Sequence, residues 1–245
     1  MNSTIELLKS HRSIRKFTAE PVPQAMLETL VEAGQAAATS SFIQACTLIQ
    51  VNNTDNRRLL AEYAGNQAYV AEAPVFMVCC ADMRRLQLAC DLNDAPMQSG
   101  FTEQFITATA DVALFSQNLT VAAESLGLGC VYIGGIRNNI AAVSELLNLP
   151  ELVYPVFGLC IGYPDQNPEV KPRLPVSVVL KQDSYQDQDD GGIISEYDQA
   201  VREYYQTRTG GTKDMTWSGQ MSGMLGKEAR PHMLDFLQKK GFLLK

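Results

Sequence analysis

The sequence predicts a three-layer arrangement in which helices cover a single sheet. Three observations predict it. Strand-length runs are few and almost wholly apolar, which marks strands buried on both faces. Segments with helical spacing fall between them in irregular alternation. The 245 residues can bury one large core, and no internal repeat or low-complexity tract divides them. Residues 1–245 therefore read as a single domain, although strand order does not follow from sequence.

The elements read in order as follows. Ser3-Thr4-Ile5-Glu6 has the pattern of a capping box and opens a short helix that delivers His11 and Arg12. Pro23 stands at the start of a second helix, with Leu27, Leu30 and Val31 at helical spacing and an end near residues 36–38. Thr39, Ser40 and Ser41 form a loop before a strand at residues 47–51. A helix over residues 55–65 carries Arg57 and Arg58 on its wet side. Residues 74–80 are continuously apolar and of strand length, hence a central strand. Residues 91–100 are a polar, irregular, mobile connection.

Residues 101–126 lack Gly and Pro, and Gly127 suits the position after a helix end. Small and apolar residues occupy most of this helix's circumference, so it should be largely buried and suited to a subunit interface. Residues 130–133 and 156–161 read as two more central strands, separated by a helix over 138–147. Residues 193–208 are amphipathic, 209–214 form a flexible Gly-containing loop, and 231–240 form a last short helix.

Net charge is −7, which argues against nucleic acid or an anionic membrane as partner. The long apolar stretch contains Glu103, Asp111, Gln117, Asn118 and Glu124, so it does not read as a membrane span. The polar first ten residues do not read as a signal peptide, and the expected location is the cytoplasm. Six cysteines show no C-x-x-C spacing, and His11 and His232 are the two histidines. We expect buried structural thiols and no metal site.

Gly127-Leu128-Gly129 follows a long helix and precedes a strand, and the third glycine of a dinucleotide fingerprint is missing, so it reads as a helix stop. No phosphate-binding P-loop is present. Positive charge instead concentrates in His11-Arg12-Ser13-Ile14-Arg15 and Lys171-Pro172-Arg173-Leu174-Pro175, against an acidic background. Fixed charged donors on stiff backbone are what a phosphate site needs.

These motifs carry a resemblance. With them go Ala64-Gly65-Asn66-Gln67, Ala122-Ala123-Glu124-Ser125-Leu126-Gly127-Leu128-Gly129, Tyr132-Ile133-Gly134-Gly135-Ile136-Arg137-Asn138, Pro164-Asp165-Gln166-Asn167-Pro168 and Glu228-Ala229-Arg230-Pro231-His232. Spread in order over nearly the whole chain, they resemble the FMN-dependent nitroreductase family, in particular its NADPH-preferring flavin reductase and major oxygen-insensitive nitroreductase branch. At Ala38-Thr39-Ser40-Ser41 the family runs consecutive serines, so the roles of the individual hydroxyls stay open.

The resemblance implies an α+β fold with a mixed, largely antiparallel sheet and an intertwined homodimer with FMN at the interface. The C-terminal part, about 193–245, is implied to extend over the partner subunit and the nucleotide site. His11, Ser13, Lys171 and Arg173 are implied to bind the FMN phosphate, with Arg12 alongside. Arg15 is implied to face the flavin N1–C2–O2 edge, where a cation favours the reduced, negatively charged ring. Gln67 is implied to bond the opposite polar edge. Tyr132, Ile133, Gly134 and Gly135 are implied to line the ring, with the Gly134 N–H towards N5. Thr39, Ser40 and Ser41 are implied to reach the flavin from the other subunit, with Ser41 and Phe42 near the substrate. Arg208, in the loop after the amphipathic helix, and nearby Lys213 are implied to read the NADPH 2′-phosphate, with Arg230 at the substrate opening.

The expected activity is ping-pong. NADPH gives hydride to the flavin, and nitroaromatics, quinones, azo compounds or free flavin then take two electrons. No side-chain acid, base or nucleophile is required. The alternatives are a flavin-binding sensor or storage protein, and a same-fold specialist flavoenzyme.

Overall fold

The computed structural model describes residues 2–245. Its elements are α1 (Ser3–Lys9), α2 (Gln24–Gln35), β1 (Cys46–Gln50), α3 (Thr54–Tyr63), α4 (Tyr69–Glu72), β2 (Val75–Asp82), α5 (Arg84–Asp91) and α6 (Thr102–Ser125). There follow β3 (Gly129–Ile133), α7 (Ile140–Leu146), β4 (Val153–Gly162), α8 (Val176–Val179), α9 (Asp190–Arg208), α10 (Trp217–Leu225) and α11 (Met233–Lys239). Short 3₁₀ turns occupy Ser40–Phe42 and Gly134–Asn139. The chain divides into two compact units, Met1–Asn167 with Arg230–Lys245, and Pro168–Ala229.

The first unit holds the sheet, in the order β1-β2-β4-β3, and every pairing of these strands is antiparallel. The apolar run at 74–80 becomes β2, a central strand buried along its whole length. Its side chains alternate between two cores. Val75, Met77, Cys79 and Ala81 face one that includes Leu27 and Leu30 of α2 and Val112 and Leu119 of α6. Phe76, Val78 and Cys80 face the other, with Leu60 of α3, Val70 of α4 and Val143 of α7. This two-sided burial makes the three layers, and it explains why the strand sequence does not alternate.

α6 buries one face through Ala108, Asp111, Val112, Ser116, Leu119, Thr120 and Ala123. Ile106 and Leu114 stay exposed in the single chain, so burial is narrower than its composition suggested. The helix stops where expected, with Gly127 at φ +78, a conformation costly for other residues.

Several local expectations need correction. Asn2, rather than Ser3, caps α1: its side chain accepts the Ile5 N–H at 3.1 Å. Arg57 is not on a wet face. Its guanidinium turns inward and donates to the carbonyls of Val70 (2.9 Å) and Ala73, tying α3 to α4, and burial lowers its pKa. Arg58 is the exposed one, paired with Asp55. Helices α5 and α10 lie where no helix was read, and a 3₁₀ turn takes the start of the helix expected from 138.

Cys79, Cys80, Cys130 and Cys160 are buried, and all six cysteines are free. Burial pushes the Cys79 and Cys160 thiols up to about 12, away from reactive thiolate. Among the described residues no helix is long and apolar enough to cross a membrane. In the second unit, α9 packs against α8 and α10 and buries Tyr197, Val201 and Tyr204.

Candidate active site

The first basic motif is laid against the sheet by main-chain bonds. Ile14 N–H donates to the Cys130 carbonyl, Thr18 N–H to that of Tyr163 and Asp165 N–H to that of Lys16, each at 2.9 Å. The Ile14 side chain is buried, and its neighbours turn the other way: Ser13 is half-buried, while Arg12 and Arg15 are exposed. Among the described residues neither guanidinium has a hydrogen-bond or ion-pair partner. The Arg15 main chain is fixed by Gln166, whose Oε1 accepts its N–H at 3.2 Å. His11 differs, because its Nδ1 lies 2.6 Å from Oε1 of Glu124, near the end of α6. A cavity of about 340 Å³ opens here, lined by Arg12, Glu124, Gly129 and Gln166 among others.

At the other end of β3, about 13 Å along the strand, the chain turns through Gly134 and Gly135. A Cβ on Gly135 would overlap the Ala64 carbonyl and Gln67 Nε2, so glycine lets the turn after α3 close onto this one. Gln67 is held in place: Nε2 donates to Ala64 O at 2.6 Å, and Tyr69 Oη donates to Oε1. Its second amide N–H remains. Arg137 reaches beneath the turn to donate to the Val156 carbonyl. Arg230 Nε donates to Asn138 Oδ1 at 3.0 Å, and His232 Nε2 meets the Arg137 carbonyl at 3.0 Å. Gln67, Gly134, Gly135 and Arg230 are therefore gathered at one end of β3.

Tyr132 and Ile133 point their side chains into the two cores. Tyr132 Oη pairs with Thr120 Oγ1 at 3.0 Å, its ring meets Phe157 edge-on, and burial pushes its pKa up to about 12. Ile133 is almost wholly buried. Both offer a ligand their main chain alone.

The Thr39–Phe42 stretch lies at the opposite edge, leading into β1. Asp111, buried in α6, accepts the N–H of Ser40 at 2.9 Å and of Ala45 at 3.1 Å. Thr39 Oγ1 accepts from Gln44 N–H at 3.2 Å, and Arg85 of α5 donates to the carbonyls of Gln44 and Cys46 at 3.1 Å each. Ser41, Phe42 and Gln44 all have positive φ, so the clamp holds a costly backbone. The result is a Phe42 ring 79% exposed beside a cavity of about 650 Å³.

The second unit holds the remaining cations. Tyr197 Oη donates to the Pro172 carbonyl at 2.9 Å and fixes the Lys-Pro-Arg segment. Lys171 Nζ stands 5.1 Å from the centroid of the Tyr205 ring, while Arg173 is exposed. Tyr204 and Tyr205 meet edge-on, and Arg208 lies over Tyr204 and donates to its Oη at 2.8 Å. Lys171 and Arg208, expected at different phosphates, thus sit on adjacent tyrosines. Arg208 is the last residue of α9 rather than a loop residue; Lys213 lies in the following loop, exposed.

Asp111, Glu124, Arg85 and Tyr204 were missed as site residues. The signal for two of them was available, since a carboxylate on the buried side of an apolar helix must have partners.

Comparison with known proteins bears on this arrangement. The sequence model of the nitroreductase family matches residues 8–163, and that of the nitroreductase family C-terminal domain matches 171–245. The chain belongs to the nitroreductase family. Within it, the chain is 46% identical to the NADPH-flavin oxidoreductase of Vibrio harveyi, over 98% of each protein. It is also 46% identical to the oxygen-insensitive NADPH nitroreductase of Salmonella typhimurium, over 99% of each. The crystal structure of nitroreductase A from Vibrio parahaemolyticus superposes with a TM-score of 0.92 at 45% identity, covering 100% of both chains. The three-layer α+β fold with its antiparallel sheet is thus a nitroreductase fold.

Proposed function

We propose that this chain is an NADPH-dependent FMN oxidoreductase. Its relatives' names support this, among them an FMN reductase (NADPH) of Bacillus subtilis at 39% identity over 99% of each protein. The residues present fit FMN. At one end of β3, Arg12 presents an unpartnered guanidinium for a phosphate and Arg15 a second one for the flavin N1–C2–O2 edge; at the other, a Gly134-Gly135 turn lies beside a fixed Gln67 amide. That is a basic end for charged groups and an open, polar end for a flat ring. His11, Arg12 and Ser13, with Lys171 and Arg173, are the proposed phosphate donors.

FMN, held by these residues, would supply the redox chemistry: hydride acceptance from NADPH and two-electron delivery to a nitroaromatic, quinone, azo compound or free flavin. The chain's own residues bind and orient. Arg15 sets positive charge near the ring edge that gains electron density, Gln67 bonds the polar edge, and the Gly134 and Gly135 main chain allows close approach. Arg208, with Lys213, reads the 2′-phosphate, and Arg230 flanks the substrate opening. The enzyme works in the cytoplasm.

The site takes residues from two chains. One observation carries this: α6 holds His11 through Glu124 and the Ser40 loop through Asp111, 13 positions apart in the sequence. That places the two anchors about 20 Å apart along one helix. A flavin at the β3 edge therefore meets Thr39, Ser40, Ser41 and Phe42 from a partner subunit. In that homodimer the exposed Ile106 and Leu114 of α6 are natural contact residues, and the part from about 193 to 245 extends over the partner.

The test is the visible spectrum of the purified protein. A yellow protein that bleaches with NADPH and recovers with a quinone supports the proposal. A flavin that binds yet resists NADPH would instead favour a sensor or storage role.

A further inference from the structure

The His11–Glu124 pair raises a problem of proton count. An ionised carboxylate only accepts hydrogen bonds, so Nδ1 of His11, 2.6 Å from Oε1, carries a hydrogen. A neutral imidazole has a single N–H. With that hydrogen on Nδ1, Nε2 would present a lone pair, which a phosphate repels. The ring donates in both directions only as imidazolium. Glu124 supplies the counter-charge that favours this state, and its side chain is 12% exposed, so water screens the attraction incompletely.

We propose that Glu124 is a positioning residue for the flavin phosphate: its carboxylate holds His11 doubly protonated, with Nε2–H free to donate to the phosphate. This rests on reading His11 as a phosphate donor. The other groups around the pair do not substitute for Glu124. Arg12 shares the cavity and, as a cation, opposes protonation of the ring; Lys9 ends α1 two positions before His11 and adds the same sign. Leu7 of α1, Ser10 just after it, and Gln166 and Asn167 from the turn after β4 are uncharged. Cys130 and Tyr132 lie within electrostatic reach of Glu124, but burial raises both, Tyr132 to about 12, so both are neutral at ordinary pH.

Glu124→Gln tests the charge while keeping an oxygen for Nδ1–H to reach. Diluting the FMN-loaded proteins and following flavin fluorescence gives the dissociation constant across pH. Near pH 6, E124Q should bind FMN as well as wild type or better, since a carboxylate near the phosphate is gone. Without its counter-charge the ring should hold its second proton less firmly. By about pH 8.5, where the phosphate is a dianion, E124Q should bind FMN roughly tenfold more weakly. A variant-to-wild-type ratio that is the same at both pH values would overturn the proposal. Nitrogen NMR of the two histidines in the flavin-free protein gives a second readout, in which the His11 midpoint should fall in E124Q. An unchanged midpoint would contradict the proposed role. His11→Gln separates this inference from its premise. Wild-type FMN affinity in that variant removes His11 from the phosphate site. Weakened affinity there, with a flat E124Q ratio, sinks only the role of Glu124.

Discussion

At the β3 edge the cations stand open, with Arg12 and Arg15 exposed and unpartnered among the described residues. At the β1 edge the loop's main chain is tied down. Asp111 takes two N–H groups, Thr39 takes a third, and Arg85 caps two carbonyls. One edge keeps its bonding capacity for a ligand, while the other spends its own on holding a strained turn in one shape. The first behaves as a receptor for charge and the second as a rigid wall that presents Ser41 and Phe42. A site assembled from both needs the two edges brought together, and within one chain their anchors on α6 stand about 20 Å apart.

The largest expected effect is on the wall. Asp111→Ala leaves both converging N–H groups without an acceptor and should cost about 2–6 kcal/mol, on the basis of about 1–3 kcal/mol for each orphaned donor. Denaturant unfolding measures this. A loss under 1 kcal/mol would mean that the loop does not depend on its clamp. Arg208, in the second unit, offers a contrast to Arg12 and Arg15, since it is a cation with a protein partner. Arg208→Ala should lose about 1.5–3 kcal/mol in kcat/KM with NADPH and little with NADH; equal losses would show that it shapes the loop. Gly135→Ala should destabilise by about 1–3 kcal/mol and weaken FMN binding, because its methyl displaces Gln67. Normal stability and affinity would show that the turn has slack. Smallest is Tyr204→Phe, which removes the hydroxyl bonded to Arg208 but keeps the ring. It should raise KM for NADPH by the equivalent of about 0.5–1.5 kcal/mol without changing NADH use.

The sequence carried the fold wherever burial leaves a pattern. The apolar run at 74–80, the long uninterrupted helix ending at Gly127 and the amphipathic stretch up to Arg208 all appear near their expected bounds. It failed where polar residues satisfy the main chain locally. Asn2 took the cap that Ser3-x-x-Glu6 suggested, and Arg57 went inward because the carbonyls of Val70 and Ala73 needed donors. Helix α5 escaped notice because none of its residues is buried. The site was legible as motifs, and its supports were not. Glu124 and Asp111 showed only as charges in an apolar helix, and their partners lie 113 and 71 residues away in sequence.

The central claim, that one flavin site takes its β3 edge from one chain and its β1 loop from another, has a direct test in mixed dimers. One chain carries His11→Ala and Arg15→Ala; the other carries Thr39→Ala, Ser40→Ala and Ser41→Ala. The two are co-expressed with different tags and isolated as the mixed species, and FMN affinity is measured. Each variant alone should bind FMN weakly. In the mixed dimer, one site joins the intact β3 edge of one chain to the intact loop of the other, so a single site of wild-type affinity should reappear. If the mixed dimer binds FMN no better than its parents, both edges act within one chain and the account is wrong.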